Sequence, residues 1–347
     1  MDLALSEDQR SVREVFADFF TSESPIERVR DSEELGFDLK LWTLAADVGI
    51  PSMGISSEFG GADATLLDLA LVCIEAGKTL APLSLPETLV AGLVLSRTTA
   101  GRQFVPQIIS GDVIATMSPR PAINGIATLA PAGAVAHVLV ALDGEELVCV
   151  ARSGSTPFAT PLKNLGSAPL ADWSLDGSDG QRTVLARGVE AQQLFAQAIC
   201  EWKALTAAAL YGLQARALEI GLAYVLERRL FGTTLASFQA IQHRLADISV
   251  ASVGAELLVL EAAWSRDVEP ERFAALADMA FLFTSDLAVK TARESLQFHG
   301  GYGYTLEYDI QMYFRRAKAW PLAIGARQDQ FMSLASALFD SASTVEA

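Results

Sequence analysis

The sequence predicts a mainly helical α+β fold in three parts: an N-terminal helical domain at 1–111, a small β domain at 112–189, and a C-terminal four-helix bundle at 190–347. Three observations carry this reading. Apolar residues recur at three- and four-residue spacing before about position 110, and again after about 190. Between them lie short β-branched runs separated by Gly, Pro, Ser and Asp clusters. At 347 residues and 51% apolar composition, the chain exceeds one ordinary domain and can bury a large core.

In the first part, SEDQRSVREVFADFF, DLKLWTLAADVG, ATLLDLALVCIEAGKTL and AGLVLSR each keep the helical period, and Ser6 with Gln9 fits a capping box. In the second, AVAHVLVAL, ELVCVAR and RTVLAR read as strands. In the third, Phe195, Ile199, Trp202, Leu210, Leu213, Ile220 and Tyr224 lie near one stripe, and Phe238, Ile241, Leu245 and Ile248 mark a second helix. A third helix runs from about Glu271 to Phe298 and a fourth lies within 320–340, which gives the bundle.

Composition narrows the function classes. The 42 acidic residues against 26 basic ones give a net charge of -16, which repels phosphate backbones and anionic lipid, so neither nucleic acid nor a membrane surface is the expected partner. The start MDLALSEDQRSVREVF has no basic region followed by an apolar run, and no stretch has the apolar length of a membrane span, so a cytoplasmic protein is expected. Cys73, Cys149 and Cys200 are widely spaced inside apolar segments and read as plain buried cysteines. His137, His243 and His299 are too far apart in sequence to suggest a zinc motif, so no metal site is expected.

Two segments carry chemistry. In 227–248, ERRLFGTTLASFQAIQHRLADI, a helix ends at Arg228-Arg229, Gly232 can serve as its C-terminal glycine, and Ser237 can cap the next helix. Read alone, this is a helix–helix corner with basic residues at the negative end of a dipole. The second segment begins at Gln297 and continues FHGGYGYTLEYD. Glycine in a helix interior costs about 1 kcal/mol, so the cluster needs a reason. A glycine pair after a helix can simply make a tight turn, or it can expose backbone N–H groups and let a phosphate or planar ring approach closely.

Together the segments are more specific. Arg-x-x-Phe-Gly, Phe-Gln and Gln-His-x-Leu-Ala-Asp, followed by Gln-x-x-Gly-Gly-x-Gly-Tyr and Glu-Tyr, resemble the acyl-CoA dehydrogenase family. Residues 48–82, VGIPSMGISSEFGGADATLLDLALVCIEAGKTLAP, resemble its N-terminal Gly-Gly turn and following helix, and helical–β–helical is its domain order. The resemblance implies that Arg228, Phe231, Gln239, Gln297, Gly300 and Gly301 contact the diphosphate and adenine end of FAD, much of it belonging to a neighbouring subunit. It also implies the chemistry: α,β-desaturation of an acyl-CoA thioester, a carboxylate taking the Cα proton while hydride leaves Cβ for flavin N5.

The sequence departs from that pattern where the base should be. AIGARQDQF places Ile324 in the carboxylate position and Ala326 where threonine is expected. The other family position, about thirty residues before the Phe-Gly, lands on Trp202 with Glu201 beside it, about 100° round the helix. Glu201 is therefore the one candidate base, with a helix-flank glutamate as the competing reading. After GDVIATMSP the groups that hold the flavin ring are reduced, Arg316 stands where the family usually has Asp, and Asp309 replaces a usual proline. What a subunit uses for its own flavin ring is weakened, whereas what it lends to a neighbour is kept. This resembles the short subunits of heteromeric (α2β2) actinobacterial acyl-CoA dehydrogenases of steroid side-chain degradation, and implies a homologous catalytic partner. Two alternatives stay open: a self-sufficient homo-oligomeric dehydrogenase using Glu201, and a flavin-free scaffold or regulatory subunit.

Overall fold

The computed structural model describes residues 4–154 and 156–339. Six helices come first: α1 (Glu7–Glu23), α2 (Ile26–Asp31), α3 (Leu39–Asp47), α4 (Leu66–Lys78), α5 (Leu85–Arg97) and α6 (Val105–Ile109). Local chemistry sets their starts. Ser6 and Gln9 close the expected capping box on α1, Asp38 accepts from Lys40 and Leu41 N–H at the start of α3, and Thr65 with Asp68 closes a second box on α4.

The middle part holds six strands: β1 (Ala115–Met117), β2 (Ile126–Ala130), β3 (Val138–Asp143), β4 (Glu146–Ala151), β5 (Ala171–Ser174) and β6 (Gln181–Arg187). They form a four-stranded sheet in the order β1-β3-β4-β6, with β1 and β3 parallel, and a separate β2-β5 pair. The three β-branched runs supply β3, β4 and β6. Strands β1, β2 and β5 escape a periodicity reading because β1 is three residues long and β2 is irregular, with Leu129 at φ 52° and a register shift between Ala127 and Ala130.

The chain passes from β6 directly into α7 (Gly188–Glu227), a 40-residue helix that runs through the centre of the molecule. Between α7 and the next long helix lies a small hairpin, β7 (Arg229–Leu230) and β8 (Thr233–Thr234). Then come α8 (Gln239–Val268), α9 (Pro270–His299), α10 (Ile310–Ala319) and α11 (Arg327–Phe339). Helices α7, α8 and α9 pack mutually, and α10 and α11 both pack on α9.

Two details correct the sequence reading of the corner. Gly232 does not end α7; Phe231 and Gly232, at φ 54° and 83°, are the central pair of the β7–β8 turn, the mirror-image turn that matches strand twist. Ser237 does not cap α8: its hydroxyl donates to Thr234 O at 2.7 Å, and Phe238 holds the cap position.

Helix α7 meets α4 unusually closely. A Cβ at Gly77 would lie 2.0 Å from Ala209 O, and one at Gly212 would lie 1.9 Å from Ile74 O. The two glycines let the backbones touch, which brings the N-terminal helices, the β domain and the C-terminal helices to a common junction.

Candidate functional site

The two segments singled out in the sequence meet on one surface. Phe298, at the end of α9, shares a small core with Val225 of α7 and Leu235 of the loop after β8, and Tyr224, Phe238, Ile241 and Leu245 pack around it. His299 stacks on Tyr224 with ring centroids 3.9 Å apart, and its Nδ1 lies 2.7 Å from Ser295 O. Burial holds the His299 imidazole below its ordinary value. These contacts fix the turn after α9 against the hairpin after α7.

On this base, Arg228, Phe231, Gln239, Gln297, Gly300 and Gly301 are all exposed. Among the described residues, the side chains of Arg228, Gln239 and Gln297 meet no hydrogen-bond or ion-pair partner. Phe231 is 94% exposed although its backbone sits in the left-handed region, where a bulky residue is strained. Gly300 answers part of the glycine question through its backbone, at φ 62° and ψ -141°, a region that only glycine enters freely. Gly301 has no positive φ, and a Cβ placed on it would meet no atom within 4 Å, so nothing inside this chain demands glycine there. An open glycine turn, its Gly300 N–H donating to Gln297 O, beside an arginine with no ion-pair partner fits the diphosphate end of a dinucleotide approaching from outside the chain.

A cavity of about 290 Å3 lies at the three-part junction. Its floor is α4, the following loop and the start of α5; α7 contributes Thr206 and Ala209, the β domain Leu129 and Pro131, and Arg316, Trp320 and Leu322 close the far side. The lining is mostly apolar. Glu87 is the one carboxylate among the described residues that line it, and its Oε1 accepts from Trp202 Nε1 at 2.9 Å. Desolvation raises the Glu87 carboxyl above the usual glutamate range. Arg316 is 5% exposed and lies 3.5 Å from Glu33, whose carboxylate also takes Arg315 at 2.5 Å; burial depresses the Arg316 guanidinium to about 10.

The geometry lends no support to Glu201 as a base. It does not line the cavity; it is fully buried and grips Arg97 through two bonds of 2.9 Å, Arg266 through two of 3.2 Å, and Gln197 at 3.1 Å. A carboxylate committed to two guanidiniums holds α5, α7 and α8 together and is poorly placed to collect a substrate proton. Its neighbour Trp202 takes the inward face, as one residue of helical rotation dictates. Ile324, at the other family position, is buried and apolar. The polar groups that sequence reasoning missed are Glu87 and Thr206. Glu87 reads as an ordinary first-turn acid on α5, and only the tertiary packing turns it toward the cavity.

Comparison with known proteins agrees with this architecture. The model of the acyl-CoA dehydrogenase N-terminal domain matches residues 6–112, and that of the C-terminal domain matches residues 195–339. The acyl-CoA dehydrogenase IpdE2 of Mycolicibacterium smegmatis is 30% identical over 344 residues, covering 96% of this chain and 100% of its own length. The chain belongs to the acyl-CoA dehydrogenase family. Two similar solved structures share the fold at 22% identity and a TM-score of 0.85, each covering 97% of this chain and 99% of its own. They are the Tcur3481-Tcur3483 steroid acyl-CoA dehydrogenase, as a G363A variant, and the ChsE4-ChsE5 complex of Mycobacterium tuberculosis. As a family member the chain is grouped with oxidoreductases acting on acyl-CoA. Among the described residues, no helix is long and apolar enough to cross a membrane.

Proposed function

We propose that this chain is the FAD-lending, non-catalytic subunit of a heteromeric acyl-CoA dehydrogenase that desaturates an acyl-CoA thioester of steroid-side-chain type. One observation carries the reading: the residues that the family uses on a neighbour's FAD stand exposed on one surface, with the side chains of Arg228, Gln239 and Gln297 unpaired, while both family positions for the base lack a usable carboxylate.

FAD is the family's cofactor and supplies the hydride acceptor when bound. This chain's share is binding and orientation. Arg228 would pair with the diphosphate, the side-chain-free Gly300–Gly301 turn would let the dinucleotide approach the backbone closely, and Phe231 would cover an apolar face of the dinucleotide. The partner would hold the carboxylate that takes the Cα proton.

A docking face accompanies the site. Val250, Val253 and Leu257 form an exposed stripe on α8, and Leu226, Leu230, Tyr302, Tyr304 and Leu306 surround the motif surface. So much exposed apolar area on a strongly acidic chain suits burial against a homologous subunit. The relation of the fold to the ChsE4-ChsE5 complex supports a partner of the same family.

The test is Arg228→Ala in the co-purified complex. The reading expects flavin to be lost on dialysis while the variant chain alone melts as the wild type does. Flavin retained at the wild-type level would contradict it.

A further inference from the structure

The segment between β4 and β5 forms one wall of the junction cavity, and part of it is built as a separable loop. Leu162 N–H donates to Leu170 O at 2.9 Å, which closes residues 162–170 at a narrow neck. Beside the neck, Ala134 N–H donates to Pro169 O at 3.0 Å and anchors that side to the β domain. Asn164 ties the inside together. Its Nδ2 donates to Leu162 O and Ala168 O at 2.8 and 2.7 Å, and its Oδ1 accepts from Gly166 and Ala168 N–H at 3.1 and 3.0 Å. A loop whose hydrogen bonds close on itself can swing about its neck without losing them.

What holds the loop down is mainly polar. Leu162, Lys163 and Leu165 are exposed, and only Gly166 and Pro169 of the loop are buried, so little apolar packing secures it. Ser167 Oγ instead donates to Glu33 Oε1 at 3.4 Å. Arg315 of α10 reaches the same Glu33 oxygen at 2.5 Å, Ser167 Oγ at 3.3 Å and Leu165 O at 3.4 Å, and Gln311 holds its Nε at 2.8 Å. Arg316 Nη1 lies 3.5 Å from that oxygen but makes no hydrogen bond, so it adds charge without fixing the carboxylate's direction. The other cation of the cavity lining, Arg120, donates to Thr128 O within the β domain. Glu33 follows α2, so a single carboxylate joins all three parts of the chain. The surface is shaped to receive the loop: a Cβ at Gly36 would lie 2.2 Å from Ser167 O, and one at Gly166 would lie 2.7 Å from Ala319 Cβ.

We propose that residues 162–170 are a hinged lid on the junction cavity, held shut by Glu33 acting as a latch between Arg315 and Ser167. The latch is partly exposed, so salt screens it, whereas an apolar closure would not respond in that way. Cys73 of α4 is a built-in reporter of opening. It lines the cavity, it is fully buried, and burial raises its thiol, so it reacts only when the cavity is opened to water. Cys149, buried in the β domain outside the lining, serves as the control. The lid lies within one chain, so it stands or falls separately from the flavin role.

The experiment is alkylation of the full chain with iodoacetamide, followed at Cys73 and Cys149 by peptide mass spectrometry, with hydrogen exchange of the loop amides measured alongside. The wild type is compared with Glu33→Gln and Ser167→Ala. Loss of the charged hydrogen bonds in Glu33→Gln should speed Cys73 labelling about tenfold, with a smaller gain in Ser167→Ala. Exchange should quicken across 162–170 but not in α4, and Cys149 labelling should stay at the wild-type rate. In the wild type, raising salt from about 0.05 M to about 1 M should also speed Cys73 labelling, and Glu33→Gln should abolish that response. Cys73 labelling unchanged in both variants, an equal rise at Cys149, or a salt response that survives in Glu33→Gln would overturn the proposal. Should Glu33→Gln fail to fold, Ser167→Ala, which removes no charge, decides the question by the same readouts.

Discussion

At the residue scale, Phe231 gives a sharp prediction. Its backbone at φ 54° suits asparagine better than a bulky aromatic, yet its ring is almost fully exposed and contributes little to this chain's core. Phe231→Asn should therefore raise the stability of the isolated chain by up to about 1 kcal/mol while weakening flavin retention in the complex. Urea melts of the chain and flavin absorbance of the complex check the two halves; a loss of both together would mean the ring is structural. Titration gives a second prediction. His137, whose Nδ1 accepts from Ile114 N–H at 3.2 Å, and His299 are both held by burial below the usual 6.5. The unfolded chain then binds more protons in that range, so the stability they contribute is complete above about pH 6.5 and is lost as the pH falls through their folded values. The urea midpoint should drop on acidification from pH 7.5, and drop less in a His137→Gln, His299→Gln double variant. Glu87 acts with the opposite sign. Its raised carboxyl contributes stability below about 4.5 that is lost as the pH rises through its folded value, so Glu87→Gln should gain on the wild type toward neutral pH.

At the scale of elements, the α4–α7 contact and the buried charges decide whether the junction forms. Gly212→Ala would drive a methyl into Ile74 O, and overpacking of this kind costs about 1–3 kcal/mol. Lys203 of α7 pairs with Asp278 of α9, both almost fully buried, and Ser333 of α11 donates to the same carboxylate at 2.8 Å. Asp278→Ala strands the ammonium and should cost about 3–5 kcal/mol, read as a lower urea midpoint. Elements are also where the sequence was most legible. The long helices and the capping box on α1 follow from local period and hydrogen-bonding chemistry, so they appear before any tertiary contact is known. The hairpin did not, because a two-residue strand has no period, and a glycine after a helix means a helix end as readily as a turn. Glu201 illustrates the other limit. Sequence spacing brought it within one residue of a family position, but which neighbour of Trp202 faces inward depends on how α7 rotates against α4 and α5.

At the scale of the whole molecule, the chain combines a complete junction, an outward-facing surface proposed to contact the cofactor, and apolar stripes beside it. The outward surface was legible because the residues that carry it lie in short contiguous motifs. Glu87 and Thr206 in the cavity lining were not, since they come from distant helices and look ordinary in their own segments. The molecular prediction concerns stoichiometry. A chain that lends binding residues but lacks a base should hold little flavin by itself and acquire it only with a partner that completes the site.

The most direct measurement is the flavin absorbance spectrum of this chain purified alone and again after co-expression with a homologous dehydrogenase subunit, counted per protomer. The account predicts an essentially colourless chain alone and about one FAD per pair of chains in the complex. A full complement of FAD, one per chain, in the protein purified alone would contradict it.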